Sequence, residues 1–398
     1  SRDPRVAYVA QDGVVELAEV QTPTPGWGLD RIDQAELAPS NSYEYHLDGT
    51  GIDLYVIDTG VRSTHAEFGN RVDTVDAFTS VADAIGTEDC NGHGTHVAGV
   101  AAGSTYGVAK GVTIHPVRVL SCYGQGSISD VIAGIDWITA HYPLPRKNRP
   151  APPTRAVANM SIDAGASQPL DDAINRAISA GVTFVVAAGN RGADACLTSP
   201  ARVQAAVTVG ASDATDARAN FSNIGPCVDL FAPGTAIPSS FMRSDTDTIA
   251  MTGTSVAAPQ VAGAAALMLQ SNPYAAPKDV QATLRSAATR DRLAGVGAGS
   301  PNLMLYSAFA GSGADYPPMA EFASTCGTRQ CTFNAGASAD DWGIAGYSWN
   351  FGDGRGGTGI TASHRYNGNP GSTFIVTLTV TDSTGQTATV QHQVQLTP

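Results

Sequence analysis

Between residues 27 and 306 short apolar runs alternate with segments whose apolar residues recur at helical spacing. IDLYVI precedes VAGVAAG, IHPVRVL precedes SDVIAGIDWITA, AVANMSI precedes LDDAINRAISA, and VTFVVAAG comes after them. Strands that take turns with helices in this way predict an α/β fold, a parallel sheet with helices on both faces. Residues 6–20, VAYVAQDGVVELAEV, read as two short strands about a turn at Asp12 and Gly13, followed by the proline-rich QTPTPG. Around residues 310–320 helical periodicity is lost. FIVTLTVTD and TATVQHQVQL then alternate in period two about STGQ, which predicts a small antiparallel all-β sandwich. Four segments are expected: residues 1–21, a large α/β domain over 22–310, a linker over 311–316, and the sandwich over 317–398. The most apolar stretch, Val256–Leu269, is fourteen residues broken by Pro259 and Gln260, too short for a membrane span.

The 398 residues are 42% hydrophobic and 7% aromatic, ordinary for a folded chain and unlike a disordered or collagen-like one. The net charge of −13 divides as −2, −9 and −2 over residues 1–21, 22–316 and 317–398. The acidity is therefore spread over a folded surface, and nucleic acid is excluded as an expected partner. Six cysteines stand at 90, 122, 196, 227, 326 and 331, without a CxxC metal signature. They allow fifteen connectivities. Pairing in sequence order (Cys90–Cys122, Cys196–Cys227, Cys326–Cys331) closes two loops of about thirty residues, each stabilising by about 3 to 4 kcal/mol. Disulfides point to an oxidising compartment, with buried free thiols as the alternative. The first residue is Ser and no signal run precedes it, so the expectation of a secreted, extracellular monomer rests on the cysteines and on the motifs of the chain.

LYVIDTG ends a buried strand on Asp58, NGHGTHVAG places His93 where a glycine-flanked loop enters a helix, and GTSVAAP places Ser255 at another helix start. A serine hydroxyl is a poor nucleophile until an imidazole takes its proton, and that imidazole needs a carboxylate to fix its tautomer and steady the imidazolium. The glycines let backbone and substrate approach closely, and a helix N-terminus behind Ser255 favours developing negative charge. Each residue alone has a plainer reading: Asp58 as a turn or cap, Thr254 and Ser255 as an N-cap, His93 and His96 as a metal pair at i, i+3. The metal reading lacks an HExxH glutamate and cysteines at ligand spacing, and no GxSxG elbow occurs. The conjunction favours a nucleophilic triad.

These segments, with WGLDRID, YGVAKGV, VRVLSCYGQGS, VANMS, AAGN, SPARV, FSNIGPCVDLFAPG and GSPNLMLY, resemble the motifs of the subtilisin family of serine proteases, in the same Asp, His, Ser order. Within that family the chain is most similar to the proteinase K branch and its secreted bacterial members that resemble aqualysin. The resemblance implies a serine endopeptidase of broad specificity that cleaves protein or peptide substrates through an acyl-enzyme. Asp58, His93 and Ser255 would form the triad, and Asn190 of AAGN would be the oxyanion donor beside the Ser255 N–H. A catalytically silent binding protein on the same scaffold is the alternative. Gly124, Gln125, Gly126 and Ser127 on one side, and Ser161, Ile162 and Asp163 on the other, are implied as the edges that sandwich an extended peptide. Ala187, Ala188 and Gly189 would line the primary specificity pocket. The resemblance also joins Cys90 to Cys122 and Cys196 to Cys227. Structural calcium is implied at Asp229 with the carbonyls of Gln204 and Ala206, at Asp30, Asp33 and Gln34, and at Asp291.

Residues 5–20 resemble the closing strands of the family's inhibitory propeptide. Residues 1–21 are thus expected to be the end of a zymogen's propeptide, itself a partner of the enzyme, with self-cleavage between Ala18 and Thr22. From Pro317 on, PMAEF, FNAGAS, YSWNFGDG, HRY and TLTVTD resemble a PKD domain. A spacer role and binding to insoluble protein or polysaccharide both remain open for it; Trp349 and Phe351 read as core and Asp353 as a turn residue. Asp163 stands where the family usually has glycine and predicts a shift towards basic side chains near the cleaved bond. Val256 replaces the usual Met, a packing change. YPLPRKNRPAPPTR, residues 142–155, reads as an exposed basic loop open to nicking.

Overall fold

The computed structural model describes residues 19–141, 156–310, 317–338, 340 and 343–397. A nine-stranded sheet runs in the order Phe78–Thr79, Thr113–Arg118, Asp53–Asp58, Ala156–Met160, Thr183–Ala187, Val207–Ser212, Leu230–Pro233, Leu303–Met304 and Thr289–Arg290. Every neighbouring pair is parallel except the last. Successive side chains of one strand enter different cores. Leu54 and Val56 pack with Val97 and Val261, whereas Tyr55 and Ile57 pack with Val131, Ile135 and Ile174. A parallel sheet covered on both faces has no solvent side, which is why its strands read as unbroken apolar runs. From Asp53–Asp58 the chain crosses to Thr113–Arg118 on one side and returns to Ala156–Met160 on the other. Loops diverging at such a switch point leave a crevice at the carboxyl ends of the strands, and Asp58 ends the strand there.

His93–Ala102 and Thr254–Ser271 are the helices of the first core. Ile128–His141 and Gln168–Ser179 are those of the second. The apolar stretch expected to break at Pro259 does not: Thr254–Ser271 is one helix with Pro259 inside it, buried along nearly its whole length. Pro259 has no N–H to offer the Ser255 carbonyl four residues earlier. The hydroxyl of Ser161 donates to that carbonyl instead, at 2.8 Å. No described helix is long and apolar enough to cross a membrane.

The C-terminal sandwich pairs a three-stranded sheet, Ala323–Cys326, Gln330–Asn334 and Thr361–Arg365, with a four-stranded one, Gly356–Thr358, Ile344–Asn350, Thr373–Asp382 and Thr387–Gln395. Trp349 and Phe351 are buried in its core with Phe322, Phe333 and Tyr366. Asp353 sits at the turn, accepting from the Arg355 N–H and bonding His364. Lys278 and Arg285 of helix Pro277–Ala287 reach Ser338 and Met319 of the C-terminal segment.

The hairpin expected over residues 6–20 lies outside the described residues up to position 18, as do the basic insert 142–155 and the linker 311–316. Glu19–Gln21 forms a strand that pairs antiparallel with Tyr43–Tyr45 in a two-stranded sheet of its own. The three disulfides keep to sequence order: Cys90–Cys122, Cys196–Cys227 and Cys326–Cys331, with separations of 32, 31 and 5. Cys90–Cys122 ties the loop before His93 to the segment that continues into Gly124. Replacing both by serine should lower unfolding stability by about 3 to 4 kcal/mol, the loop-closure entropy of a loop this long, as measured by urea unfolding.

Candidate active site

Asp58 has no solvent exposure. Its carboxylate is supplied with donors: His93 Nδ1 lies 2.8 and 2.9 Å from its two oxygens, and the Thr59 N–H donates at 2.7 Å. A buried carboxylate with this many donors accepts the Nδ1–H tautomer of the imidazole, which leaves Nε2 as the basic nitrogen. Burial of the ring opposes its charged form, but Asp58, with Asp89 behind it, outweighs burial and raises the His93 pKa above the ordinary histidine value. His96 behaves oppositely. It is buried against the carbonyls of Ile237 and Ile249, and burial together with the neighbouring His93 pushes it down to about 4. His93 Nδ1 is thus engaged by Asp58 and His96 Nε2 by backbone carbonyls.

Asp89 is a residue the sequence reading passed over. Its carboxylate accepts from the N–H groups of Asn91, Gly92 and Thr95 and from the hydroxyls of Thr59 and Thr95. Thr59 Oγ1 in turn accepts from the Gly94 N–H. The strand end bearing Asp58 and the helix start bearing His93 are thereby fastened together. Gly92, not Asp89, is the N-cap of that helix, so no capping pattern in the sequence marks Asp89.

Ser255 is the second residue of its helix. Asn190 Oδ1 accepts from the Thr254 N–H at 2.8 Å and its hydroxyl at 2.9 Å, so the amide nitrogen is turned the other way. A Cβ added to Gly253 would stand 2.9 Å from Ser255 Oγ and 3.5 Å from Asn190 Nδ2, which places hydroxyl and amide about one shared space. Among the described residues neither Asn190 Nδ2 nor the Ser255 N–H has a protein acceptor. Asn223, fully buried and also unforeseen, holds the loop that carries Asn190. It donates to the Ala188 carbonyl and accepts from the Arg191 and Ala193 N–H groups.

A groove of about 560 Å³ runs past His93. Gly124, Gln125, Gly126 and Ser127 line it together with Ser161, Ile162 and Asp163. The side chains of Ala187 and Ala188 are buried in the core, so these two residues offer the site only backbone. Gly189 faces Asp163: a Cβ there would meet Asn223 at 2.4 Å and the Asp163 carboxyl carbon at 3.5 Å. Burial raises the Asp163 pKa, with Arg191 working against it from 3.2 Å. Asp163 Oδ1 is buried without a partner. Arg191, the residue after the candidate oxyanion donor, carries no sequence signal for this pairing.

The three oxygens expected at the first calcium site do converge. The Gln204 and Ala206 carbonyls and Asp229 Oδ1 all accept from one nitrogen, Gln281 Nε2, at 3.1, 3.0 and 3.2 Å. Burial pushes Asp229 up to about 6, opposed first by Arg285, 3.7 Å away. As arranged, this site does not fit a cation, because an amide NH₂ occupies the oxygens' common side. At the second site Asp30 Oδ1 accepts from the Ser40 N–H and hydroxyl, and the Gln34 carbonyl accepts from Arg31. Asp33 Oδ2 accepts from the Glu44 N–H, while its Oδ1 is buried without a partner. Burial pushes Asp33 up to about 7, with Asp30 adding to the shift. Asp291 is exposed, its backbone N–H donating to the Asn302 carbonyl.

The chain matches the Subtilase family over residues 49–303 and a PKD domain over residues 316–397. An extracellular serine proteinase of Thermus sp. (strain Rt41A) is 52% identical over 308 residues, 77% of this chain and 72% of that protein. Alkaline serine exoprotease A of Vibrio alginolyticus is 48% identical over 310 residues, 77% of this chain and 55% of that protein. The crystal structure of a cold adapted subtilisin-like serine proteinase matches with a TM-score of 0.66 at 47% identity, covering 72% of this chain and 99% of that one. A parallel α/β frame that brings a buried Asp–His pair to the crevice defines, with these matches, a serine protease. The chain belongs to the subtilase family, and a PKD domain lies after its protease domain.

Because Asp58 and not burial sets the direction of the His93 shift, the ring should titrate above about 6.5 in Ser255→Ala protein. Adding Asp58→Asn leaves burial opposed only by Asp89 and should lower the ring's pKa from that of the Ser255→Ala parent, read from its proton resonances by NMR.

Proposed function

We propose that the chain is a secreted serine endopeptidase in which Ser255 Oγ attacks the peptide carbonyl and His93 Nε2 takes its proton. Asp58 holds the imidazole in the required tautomer and stabilises the imidazolium. Asn190 Nδ2 and the Ser255 N–H receive the oxyanion. His93 then returns the proton to the leaving amine, and water hydrolyses the acyl-enzyme by the same exchange. The observation that carries this reading is the His93 ring, bound at Nδ1 by both oxygens of a carboxylate without solvent exposure.

An extended peptide would pair by backbone with Gly124–Ser127 and Ser161–Asp163, which makes binding tolerant of sequence. Asp163 and Gly189 would flank the side chain preceding the cleaved bond, where the partly buried carboxylate favours a basic group. Self-cleavage falls between Ala18 and Thr22; a cut after Gln21 would release the strand Glu19–Gln21 from Tyr43–Tyr45, and a cut before it would leave that strand on the enzyme. Of the oxygens at Asp30, Asp33 and Gln34, Asp33 Oδ1 lacks a partner and would be the one free for calcium, whereas the Gln34 carbonyl is taken by Arg31. When bound, calcium would tie this acidic segment together. The buried core aromatics of the sandwich favour a spacer over an aromatic ligand platform.

Incubation with a fluorophosphonate should add one label, at Ser255, to protein whose mass begins between Ala18 and Thr22. Folded, matured protein that takes no label would sink the protease reading. Asn190→Ala should lower kcat by about 10² to 10³ with little change in KM, the loss measured for this donor within the family. Asp163→Gly should reduce cleavage after basic relative to aromatic residues by about two- to five-fold, and Arg191→Ala should raise it, as scored on paired peptide substrates.

A further inference from the structure

We infer that the side chain of Gln281, backed by Arg285, serves as a built-in substitute for a metal ion at Asp229. The side-chain NH₂ of Gln281 carries two hydrogens and faces three acceptors, the carbonyls of Gln204 and Ala206 and Oδ1 of Asp229, at 3.0 to 3.2 Å. Those are N–H···O lengths. All three neighbours can only accept, so the nitrogen and not the oxygen of the amide must face them. A hard cation such as calcium would need the same lone pairs, from about 2.3 to 2.6 Å away. Ion and amide cannot both be served.

The charge is also accounted for. The other carboxylate oxygen, Asp229 Oδ2, accepts from the Thr208 N–H at 2.8 Å, and Arg285 brings a permanent positive charge to 3.7 Å from Oδ1. Gln281 and Arg285 are four residues apart on helix Pro277–Ala287, so one face presents the donor and the cation together. Gln281 is 8% exposed and sits beside the buried residues Val280 and Leu284 of that helix, which leaves its side chain little freedom to turn away. The consequence is that the start of strand Leu230–Pro233 and the loop at 204–206 are bridged by hydrogen bonds from a side chain of the protein itself, a link that does not depend on an ion in the medium.

The test compares the full chain carrying Ser255→Ala with the same protein carrying Gln281→Ala, counting bound calcium by equilibrium dialysis. Any ion held at Asp33 contributes equally to both. The Gln281→Ala protein should bind one calcium more than its parent. In chelator its Tm should lie below the parent's by roughly 2 to 8 °C, and calcium should restore most of the difference. Equal calcium counts would overturn the proposal: either the parent already holds an ion at Asp229 or the oxygens do not form a cation site. Should Gln281→Ala fail to fold, Gln281→Asn, which draws the amide back by one methylene, is judged by the same count. Fluorophosphonate labelling of protein with Ser255 intact tests the protease reading separately, and neither result bears on the other.

Discussion

A carboxylate held out of solvent is tolerable only where donors replace its water, and the Asp58–His93 pair meets that requirement. Removing water from around the pair also strengthens the field the carboxylate exerts on the ring; burial is the largest single influence on the imidazole, and Asp58 together with Asp89 outweighs it. The burial comes from the architecture. Asp58 ends a central strand whose neighbours lie on both sides, under helices on both faces, so its carboxylate reaches the crevice from inside the sheet.

Around that pair the loops are set by polar side chains that bridge to backbone. Asp89 fastens the His93 helix to the strand carrying Asp58. Asn223 fixes the turn that carries Asn190, and Asn190 engages the first residue of the Ser255 helix. Each bridge is short and at least partly shielded from water, so each is geometrically restrictive as well as stabilising. The Asp58 strand is thereby held to the His93 helix, and the Asn190 turn to the Ser255 helix, before any substrate is present, the preorganisation that transition-state stabilisation needs.

Legibility in the sequence tracked how local each signal was. The alternation of strands and helices, the glycine-flanked junctions of Asp58, His93 and Ser255, and the cysteine order depend on neighbours in the chain. Contacts that depend on tertiary approach were hidden: Arg191 beside Asp163, and Gln281 and Arg285 beside Asp229. Nothing in PKDVQATLRSA marks Gln281 as different from a solvent-facing glutamine. Proline within an apolar run was read as an interruption, because sequence alone does not show the packing that carries a helix through it.

That same proline has a consequence for how the chain can change over time. Pro259 leaves the Ser255 carbonyl without its helical partner, and the Ser161 hydroxyl, from the groove wall, takes the vacancy. Ser161 replaced alone strands a carbonyl in the protein interior; Pro259 replaced alone by a residue bearing an N–H removes the vacancy that the hydroxyl fills. Two positions nearly a hundred residues apart are therefore linked in one direction: with Pro259 in place the carbonyl depends on the Ser161 hydroxyl, and a residue bearing an N–H at 259 would release Ser161 from that task.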